Sequence, residues 1–247
     1  MLFSIFFIKP LIAQDNYEIQ IYEASLVEKH HTMFELHTNY TAIGSTVPAN
    51  DMFYSDNLFH ATLEVTHGFT KWMEVGAYVF TSIGSDGRTG FAGTHIRPRV
   101  AFPESMNLPV GLSLSGEFGY QKLGFFGNHW IVEFRPIIDK KAGNFYFSFN
   151  STVDWLADKG PKRGWQFNPC FKASYEIGKL IPGLEYYMGL GYFGQFDPFP
   201  AQKHQLFMSF DYDISSDWEF NAGIGTGLSS GSDKLILKCI IGRRFGF

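Results

Sequence analysis

Apolar and polar side chains alternate along almost the whole chain from residue 32 onward. Segment 32–43 shows this most clearly, with Phe34, Leu36, Thr38, Tyr40 and Ala42 on one face and Glu35, His37, Asn39 and Thr41 on the other. Because successive side chains of a β-strand point to opposite faces, this spacing predicts a ribbon with one apolar and one polar face. The same pattern predicts further strands over 57–67, 73–81, 94–102, 110–121, 130–138, 145–155, 165–177, 184–193, 204–212, 218–228 and 234–247.

The predicted strands are long, and the connections between them alternate in length. A membrane-crossing strand needs about 9–11 residues, whereas strands of soluble proteins average about five or six. Short connections at 67–72, 103–107, 139–143, 178–183 and 213–217 alternate with generally longer ones at 44–55, 84–93, 122–128, 156–163 and 195–202, and 229–233 is a short exception. Membrane barrels with short periplasmic turns and longer external loops show this asymmetry. An even number of strands then places both termini on the periplasmic side.

The charged side chains follow the polar faces of the strands. In a soluble sandwich or lipocalin-like barrel they would face water around an aromatic core, whereas in a membrane barrel they line the interior. Under the membrane interpretation, the charged residues expected to line the lumen are Glu35, His37, His60, Glu64, Glu74, His95, Arg97, Arg99, Glu117, Glu133, Arg135, Lys172, Glu185, Lys238 and Arg244.

Tryptophan placement favours the membrane barrel over the soluble alternative. Three tryptophans fall at the external ends of predicted strands, Trp130, Trp155 and Trp165, and Trp218 falls at a periplasmic end. All four belong to the apolar face of their strand. Aromatic rings at both ends of the lipid-facing surface form the girdles of such barrels. The predicted fold is therefore all-β, a single transmembrane antiparallel up-and-down barrel of about 12 strands, contacting outer-membrane lipid.

Composition narrows the possible functions. Of 247 residues, 18% are aromatic and 18% charged, with 27 Phe and 26 Gly, and the net charge is −4. No run of about 20 apolar residues is present, which excludes a helical membrane span. A chain without a basic stripe is not expected to bind nucleic acid. Two cysteines cannot form a disulfide framework, and Cys170 and Cys239 have opposite parity on non-adjacent strands, so two free thiols are expected.

The N-terminus has the character of an export signal. Residues 1–14 are mostly apolar and end in small side chains, with Ala13 as the expected last residue before cleavage. Residues 15–31 are then a periplasmic lead, and 32–247 form the barrel of a Gram-negative outer-membrane protein. The alternative is that residues 1–14 are a disordered segment or a buried strand.

Three stretches carry a resemblance to a known family. They are 31–41, the hairpin 60–76 with its Gly-containing turn, and 109–119. Each resembles outer-membrane proteins of the MetA-pathway-of-phenol-degradation type, and the likeness spans most of the mature chain. The resemblance implies an outer-membrane barrel that takes up small organic molecules.

The C-terminal strand resembles an outer-membrane insertion signal. Such signals alternate apolar residues and finish on an aromatic residue that the barrel-assembly machinery reads. Phe245 and Phe247 match this pattern, while Arg243 interrupts the apolar row. The resemblance implies that the assembly machinery is a partner during insertion.

The interior charges have two interpretations. They form either an ion-pair lattice that fills the lumen or a charged lining that selects small solutes. Antiparallel pairing brings Glu74 near Arg99, and closure of the last strand on the first brings Arg244 near Glu35. The expected function is a passive channel for small, including apolar or aromatic, molecules. The alternative is a plugged barrel with a structural or interaction role.

Other chemistry has weaker support. The first hairpin places three potential metal ligands on its inner face, namely His37, His60 and Glu64. Two imidazoles and a carboxylate could bind zinc or copper. Hydrogen bonding within the ion-pair lattice is the preferred role, and no metal or cofactor is expected. An enzyme modifying outer-membrane lipid is a further alternative; however, no outward Ser/His pair or G-x-S-x-G motif supports it. Two external segments are candidate caps for the barrel mouth, Met52–Tyr54 and Phe196–Pro200.

Overall fold

The computed structural model describes residues 16–47, 52–84, 87–156 and 164–246. These contain sixteen β-strands and one short 3-10 helix, Glu104–Met106. The strands are β1 His31–Ile43, β2 Leu58–Thr70, β3 Met73–Gly84, β4 Thr89–Ala101, β5 Gly111–Gln121, β6 Trp130–Ala142, β7 Phe145–Asn150, β8 Val153–Leu156, β9 Trp165–Phe167, β10 Cys170–Tyr175, β11 Leu180–Gly189, β12 Gly191–Tyr192, β13 Gln195–Phe196, β14 Lys203–Tyr212, β15 Trp218–Gly227 and β16 Leu235–Gly246. No helix in the described part of the chain is long and apolar enough to cross a membrane.

The strands form one closed antiparallel ring. Consecutive strands pair from β1 to β6 and from β14 to β16, β6 pairs with both β7 and β8, β10 with β7 and β11, and β16 pairs back with β1. Three predicted strands are each divided into two, namely β7 with β8, β9 with β10, and β11 with β12. Pro169 lies in one of these breaks and has no N–H for the ladder. Counting each divided strand once, and β13 as a small hairpin on β12, the wall has twelve strands, which confirms the predicted fold.

The two ends of the barrel differ. His31 pairs with Gly246 at one end, called the turn end, together with the connections at 71–72, 102–110, 143–144, 176–179 and 213–217. The opposite loop end carries the connections 44–57, 122–129, 157–164 and 228–234 and the β12–β13 hairpin. Two connections depart from the predicted asymmetry: 102–110 is lengthened by the 3-10 helix, and 85–88 is short because β3 and β4 extend as a hairpin.

The outer face of the wall is apolar and exposed. Leu63 is 49% and Met208 68% exposed, and the other exposed outward residues include Leu36, Val79, Ile96, Phe118, Phe134, Leu184, Ile224 and Leu237. The charged rows point inward instead. A soluble barrel that buries its aromatic rows as a core is therefore excluded, since these rows lie on the outside.

Trp130, Trp155 and Trp165 lie exposed on the outer face at the loop end, where the last two rings pack 6.3 Å apart. Trp218 lies at the turn end beneath the guanidinium of Arg243, 5.1 Å from the ring centroid. Trp72, which the sequence analysis did not include, is also exposed at the turn end. Aromatic rings thus lie at both ends of the outer face.

Candidate functional site in the barrel lumen

The lumen contains a piece of the chain itself. Residues 16–28, called here the luminal segment, run through the barrel from the loop end to the turn end. At the loop end, Asn16 Nδ2 donates to Asp233 Oδ2 at 2.7 Å. At the turn end, His30 N donates to Gly68 O at 2.8 Å, just before β1 begins. The expectation that residues 15–31 form a periplasmic lead is wrong for this segment, because its side chains fit the inner wall.

This path separates the two ends of the described chain. Asn16 lies at the loop end, whereas Gly246 lies at the turn end opposite His31. The expectation that both termini share the periplasmic side does not hold for these residues. The cause is the reversal at residues 29–30, where the luminal segment turns back into β1.

Side chains of the wall hold the backbone of the luminal segment. An extended chain near the barrel axis lies too far from the wall to join its ladders, yet its buried N–H and C=O groups still need partners. Apart from the bond that Glu28 O accepts from His31 N at 3.0 Å, the hydrogen bonds described for this backbone are with side chains. Those wall residues are Thr62, Glu74, Arg99, Asp139, Ser148, Asn150 and Lys238.

Apolar side chains of the segment fill apolar patches on the otherwise polar inner wall. Ile19 and Ile21 pack with Cys170, Tyr187, Phe207 and Ile236. Tyr17 packs with Tyr78, Phe80, Ala92 and Phe126, while Tyr22 and Ala24 pack with Ile137. This set was not among the residues predicted from the sequence. Two signals were available: inward-facing aromatic residues on β3, β11 and β14, and the alternation of Tyr17, Ile19 and Ile21 before the first strand.

Tyr22 is the centre of the arrangement. The guanidinium carbons of Arg97, Arg135 and Arg99 lie 4.4, 4.8 and 5.4 Å from its ring centroid. Its hydroxyl donates to Glu18 and lies 2.9 Å from the hydroxyl of Tyr78. Cations over an aromatic face stabilise it electrostatically. One ring of the segment therefore joins arginines from two strands, β4 and β6.

The largest ion-pair group lies on β2, β3 and β4. Arg97 Nη2 lies 2.5 Å from Glu64 and 3.7 Å from Glu74, and Arg99 Nε lies 2.8 Å from Glu74. The predicted proximity of Glu74 and Arg99 is confirmed. Gly76 leaves room for the first pair, because a Cβ there would lie 3.2 Å from both Arg97 Nη2 and Glu64 Oε1.

Two further groups continue around the inner wall. Within β6, Arg135 Nε lies 2.7 Å from Glu133, and between β4 and β5 His95 contacts Glu117. On β10, β11 and β16, Lys238 Nζ lies 2.5 Å from Glu185, whose other oxygen is 4.0 Å from Lys172. Acidic and basic side chains are interleaved in each group, so the inner wall does not carry charge of a single sign.

At the turn end, the predicted approach of Arg244 to Glu35 is not what the structure shows. The strands β1 and β16 do pair, but the register places Arg244 opposite Met33. Its guanidinium instead lies 3.0 Å from Glu219 on β15. Of the fifteen charged residues expected in the lumen, fourteen are buried in the structure and Arg244 is half-buried.

The predicted histidine group is also rearranged. His60 lies 3.0 Å from Ser82 Oγ and packs edge-on against Tyr17 with ring centroids 4.3 Å apart. His37 and Glu64 instead come together with Glu35, all three buried. The set expected from the sequence is therefore divided, because His60 and Glu64 are four residues, about 13 Å, apart along β2, whereas the register places Glu64 opposite Glu35.

The loop end of the lumen is closed by connection 122–129. Phe126 is 2% exposed and stacks on Tyr17 with centroids 4.6 Å apart. Phe53 supports this connection, since its N–H donates to Gly124 O at 2.6 Å and its ring packs on Phe125. The expected cap at 52–54 therefore acts as a support. In the other expected cap, 196–200, Phe196 and Phe199 are exposed rather than inserted.

Free space in the lumen is unequal. A loop-end cavity of about 60 Å³ is lined by Tyr17, Glu117, Phe126, Asp154 and Gln166 among others. Beside the segment toward the turn end lies a cavity of about 240 Å³, and a vestibule of about 1140 Å³ surrounds residues 23–29. The lumen is thus nearly filled at the loop end and hollow at the turn end.

The remaining predicted positions are placed as follows. Phe245 is exposed on β16 and packs against Phe34 at 5.8 Å between centroids. Phe247 and residues 1–14 lie outside the described residues. Cys170 is a free buried thiol, and Cys239 is a free half-buried one.

Comparisons with known proteins extend the description of the fold. No family model matches the sequence, and no curated protein matches it. The structure is similar to that of the COG4313 outer membrane channel from Pseudomonas putida F1, with a TM-score of 0.64 and 13% identity, covering 92% of this chain and 100% of that chain. It is also similar to the KdgM porin, with a TM-score of 0.53 and 10% identity, covering 87% and 99%. At these identities the likeness establishes the barrel fold.

Proposed function

We propose that this chain is an outer-membrane channel for small solutes whose pathway is closed in the described state by its own luminal segment. The observation that carries the proposal is a charged lumen wide enough to hold an extended peptide and already hollow on one side of it. An eight-stranded barrel is just filled by side chains. Twelve strands leave the additional space that the segment occupies.

The outer face supports a membrane location. Its rows of exposed apolar side chains match the apolar band of outer-membrane barrels, with tryptophans toward both ends. Since short turns are periplasmic in such barrels, the turn end and its vestibule face the periplasm, and the loop end faces outward. The luminal segment then begins near the external mouth.

The lining indicates the class of solute. Acids and bases of the wall are interleaved, so the pathway does not favour one sign of charge over its full length. The vestibule also presents apolar side chains, among them Leu26, Phe102 and Ile181. Small polar molecules with an apolar part suit such a surface. This agrees with the uptake of small organic molecules that the resemblance to the MetA-pathway type implies.

The test is single-channel conductance of two refolded forms in planar bilayers. One form is the full chain, and the other lacks residues 1–28. We expect brief or small openings from the full chain and steady, larger steps from the shortened one, because removing the segment connects the vestibule to the loop end. Heat-dependent mobility on gels verifies that both forms are folded barrels. A folded, inserted short form that conducts no ions would refute the channel.

A plugged barrel with a structural or interaction role is the second candidate. The observation favouring it is the number of hydrogen bonds and ion pairs that hold the segment throughout its length. A full chain that stays silent at all voltages, together with a short form that conducts, identifies residues 16–28 as a permanent plug. The loop-end surface would then be the candidate interaction site.

A further inference from the structure

Three ligand-type side chains meet on the inner wall of the first hairpin. Glu35 and His37 lie two residues apart on β1 and so share a face, and Glu64 is the register partner of Glu35 on β2. One potential ligand atom from each lies within 4.8 Å of those of the other two. All three side chains are buried. The two-strand register therefore assembles one imidazole and two carboxylates at one point.

The imidazole of His37 is fully buried and has few polar partners. The residue is 0% exposed, and its ring nitrogens make no hydrogen bond of good geometry with the described residues; the polar contact described for Glu64 Oε2 is His37. Buried polar atoms are nearly always paired, so these atoms require an explanation such as an ion. His37 Nε2 lies 3.3 Å from Glu64 Oε2. Two ligands at about 2.0–2.1 Å from a tetrahedral zinc are separated by about 3.4 Å.

The second oxygen of Glu64 is fixed by other partners. Thr66 Oγ1 donates to Oε1 at 2.7 Å, and Arg97 Nη2 donates to the same atom at 2.5 Å. Carboxylates that bind metals are commonly oriented by such outer hydrogen bonds. These two contacts direct Oε2 toward His37 and Glu35 and leave it available.

Charge and access favour a cation at this point. Around Glu35, the three arginines Arg97, Arg99 and Arg244 pair with Glu64, Glu74 and Glu219. Within the described ranges no basic side chain lies at ion-pair distance from Glu35, and Arg97 and Arg244 act on its carboxylate only from farther away. Glu35 also lines the cavity of about 240 Å³ beside the luminal segment, which gives an ion a route from the turn end.

We propose that Glu35, His37 and Glu64 bind one divalent transition-metal ion, with zinc as the expected occupant. Two carboxylate oxygens and one imidazole nitrogen are a set that zinc accepts, with a water completing four ligands from the cavity side. The ion joins β1 to β2 and neutralises Glu35. This site is independent of conduction, because binding needs the folded hairpin and not an open lumen.

The experiment uses the full chain refolded in detergent, freed of metal with a chelator and then titrated with Zn²⁺. Bound zinc is counted after gel filtration, and Co²⁺ is used in parallel because its visible absorption reports ligand geometry. We expect one ion per chain. Glu35→Gln and His37→Gln should each weaken binding by about tenfold or more, since each removes a ligand.

His60→Gln is the matched control. His60 is equally buried on the same face, but it lies outside the cluster and contacts Ser82. It should leave the zinc affinity unchanged. If gel mobility shows that His37→Gln does not fold, the zinc affinity of the near-isosteric variant Glu35→Gln tests the site instead. Absence of stoichiometric zinc in the folded wild type, or equal weakening by His60→Gln, would overturn the site.

Discussion

The barrel wall and the luminal segment satisfy their backbones in opposite ways. In the wall, each strand pairs with both neighbours, so its N–H and C=O groups are satisfied by other backbone groups. In residues 16–27, the described partners are side chains that project inward from the wall, such as Arg99 and Asn150. The position of the segment therefore depends on individual side chains, whereas the pairing of the wall strands does not depend on any single side chain.

This difference predicts two kinds of mutational effect. A change on the inner face should loosen the segment while the ring stays closed. A change on the outer face should alter the insertion and stability of the ring while the segment stays in place. Conductance reports on the segment, and unfolding in lipid reports on the ring, so the two effects are measured separately.

Arg99→Gln should have the largest effect. Arg99 donates to the carbonyl oxygens of Glu23 and Ser25 at 3.0 and 2.7 Å and pairs with Glu74. Breaking a buried ion pair costs about 3–5 kcal/mol, and here much of that cost falls on the contact with the segment. We expect the open probability of single channels to rise by at least about tenfold. Arg244→Gln is the control, since Arg244 pairs with Glu219 without contacting the segment; equal changes in both variants would contradict the prediction.

Leu63→Arg tests the ring next. Leu63 is exposed at the middle of β2, and an arginine on the lipid face of a barrel at the membrane midplane costs about 2–4 kcal/mol. We expect urea unfolding in lipid vesicles to show that loss, with little change in open probability. Phe69→Arg, near the turn end of the same strand, should cost only about 0–1 kcal/mol. Equal costs at the two depths would argue against a membrane-spanning wall.

Tyr22→Phe should weaken the segment more mildly. It keeps the ring beside three arginines but removes the hydroxyl that contacts Glu18 and Tyr78. Leaving a buried polar group without its partner costs about 1–3 kcal/mol. Amide hydrogen exchange over 16–28 should become faster. Tyr40→Phe, which removes an exposed hydroxyl bound to Asn57, is the control, and unchanged exchange in Tyr22→Phe would mean that its hydroxyl is not an anchor.

Arg243→Ala should have the smallest effect. Its guanidinium lies on the outer face over Trp218 and Phe245, at 5.1 and 4.9 Å from their centroids. Exposed cation–π contacts contribute about 0.5–1 kcal/mol. A small decrease in ring stability with unaltered conductance is expected. A large change in conductance would contradict the conclusion that mutations of the outer wall leave the luminal segment in place.

Much of the wall could be predicted from the sequence. Alternation is a local property of a strand, so segment 32–43 was sufficient to place Phe34 outward and His37 inward. The proximity of Glu74 to Arg99 followed in the same way, because antiparallel pairing of adjacent strands brings together residues at the same end of the barrel. Arg244 was misplaced because Glu35 on β1 and Glu219 on β15 both lie opposite Gly242, and its side chain turns to the β15 neighbour.

The contents of the lumen could not be predicted in this way. Tyr17 and Ile19 have alternation of their own, but their partners Phe126 and Phe207 are far away in sequence. Whether an N-terminal stretch lies outside the barrel or within it depends on the volume that twelve strands enclose and on the apolar patches that meet across it. The alternation of apolar and polar residues shows which face of a strand each side chain occupies. It does not show how much volume the closed barrel encloses.

The sequence by itself therefore determined the strands, their two faces and their up-and-down order, because each follows from neighbours in the chain. Only the tertiary structure decided that residues 16–28 fill the lumen, that Phe126 closes the loop end, and that Glu35 rather than His60 joins His37 and Glu64. The first two outcomes depend on closure of the ring, and the third depends on the register between β1 and β2. Closure brings together side chains whose separation along the chain has no bearing on their distance in space.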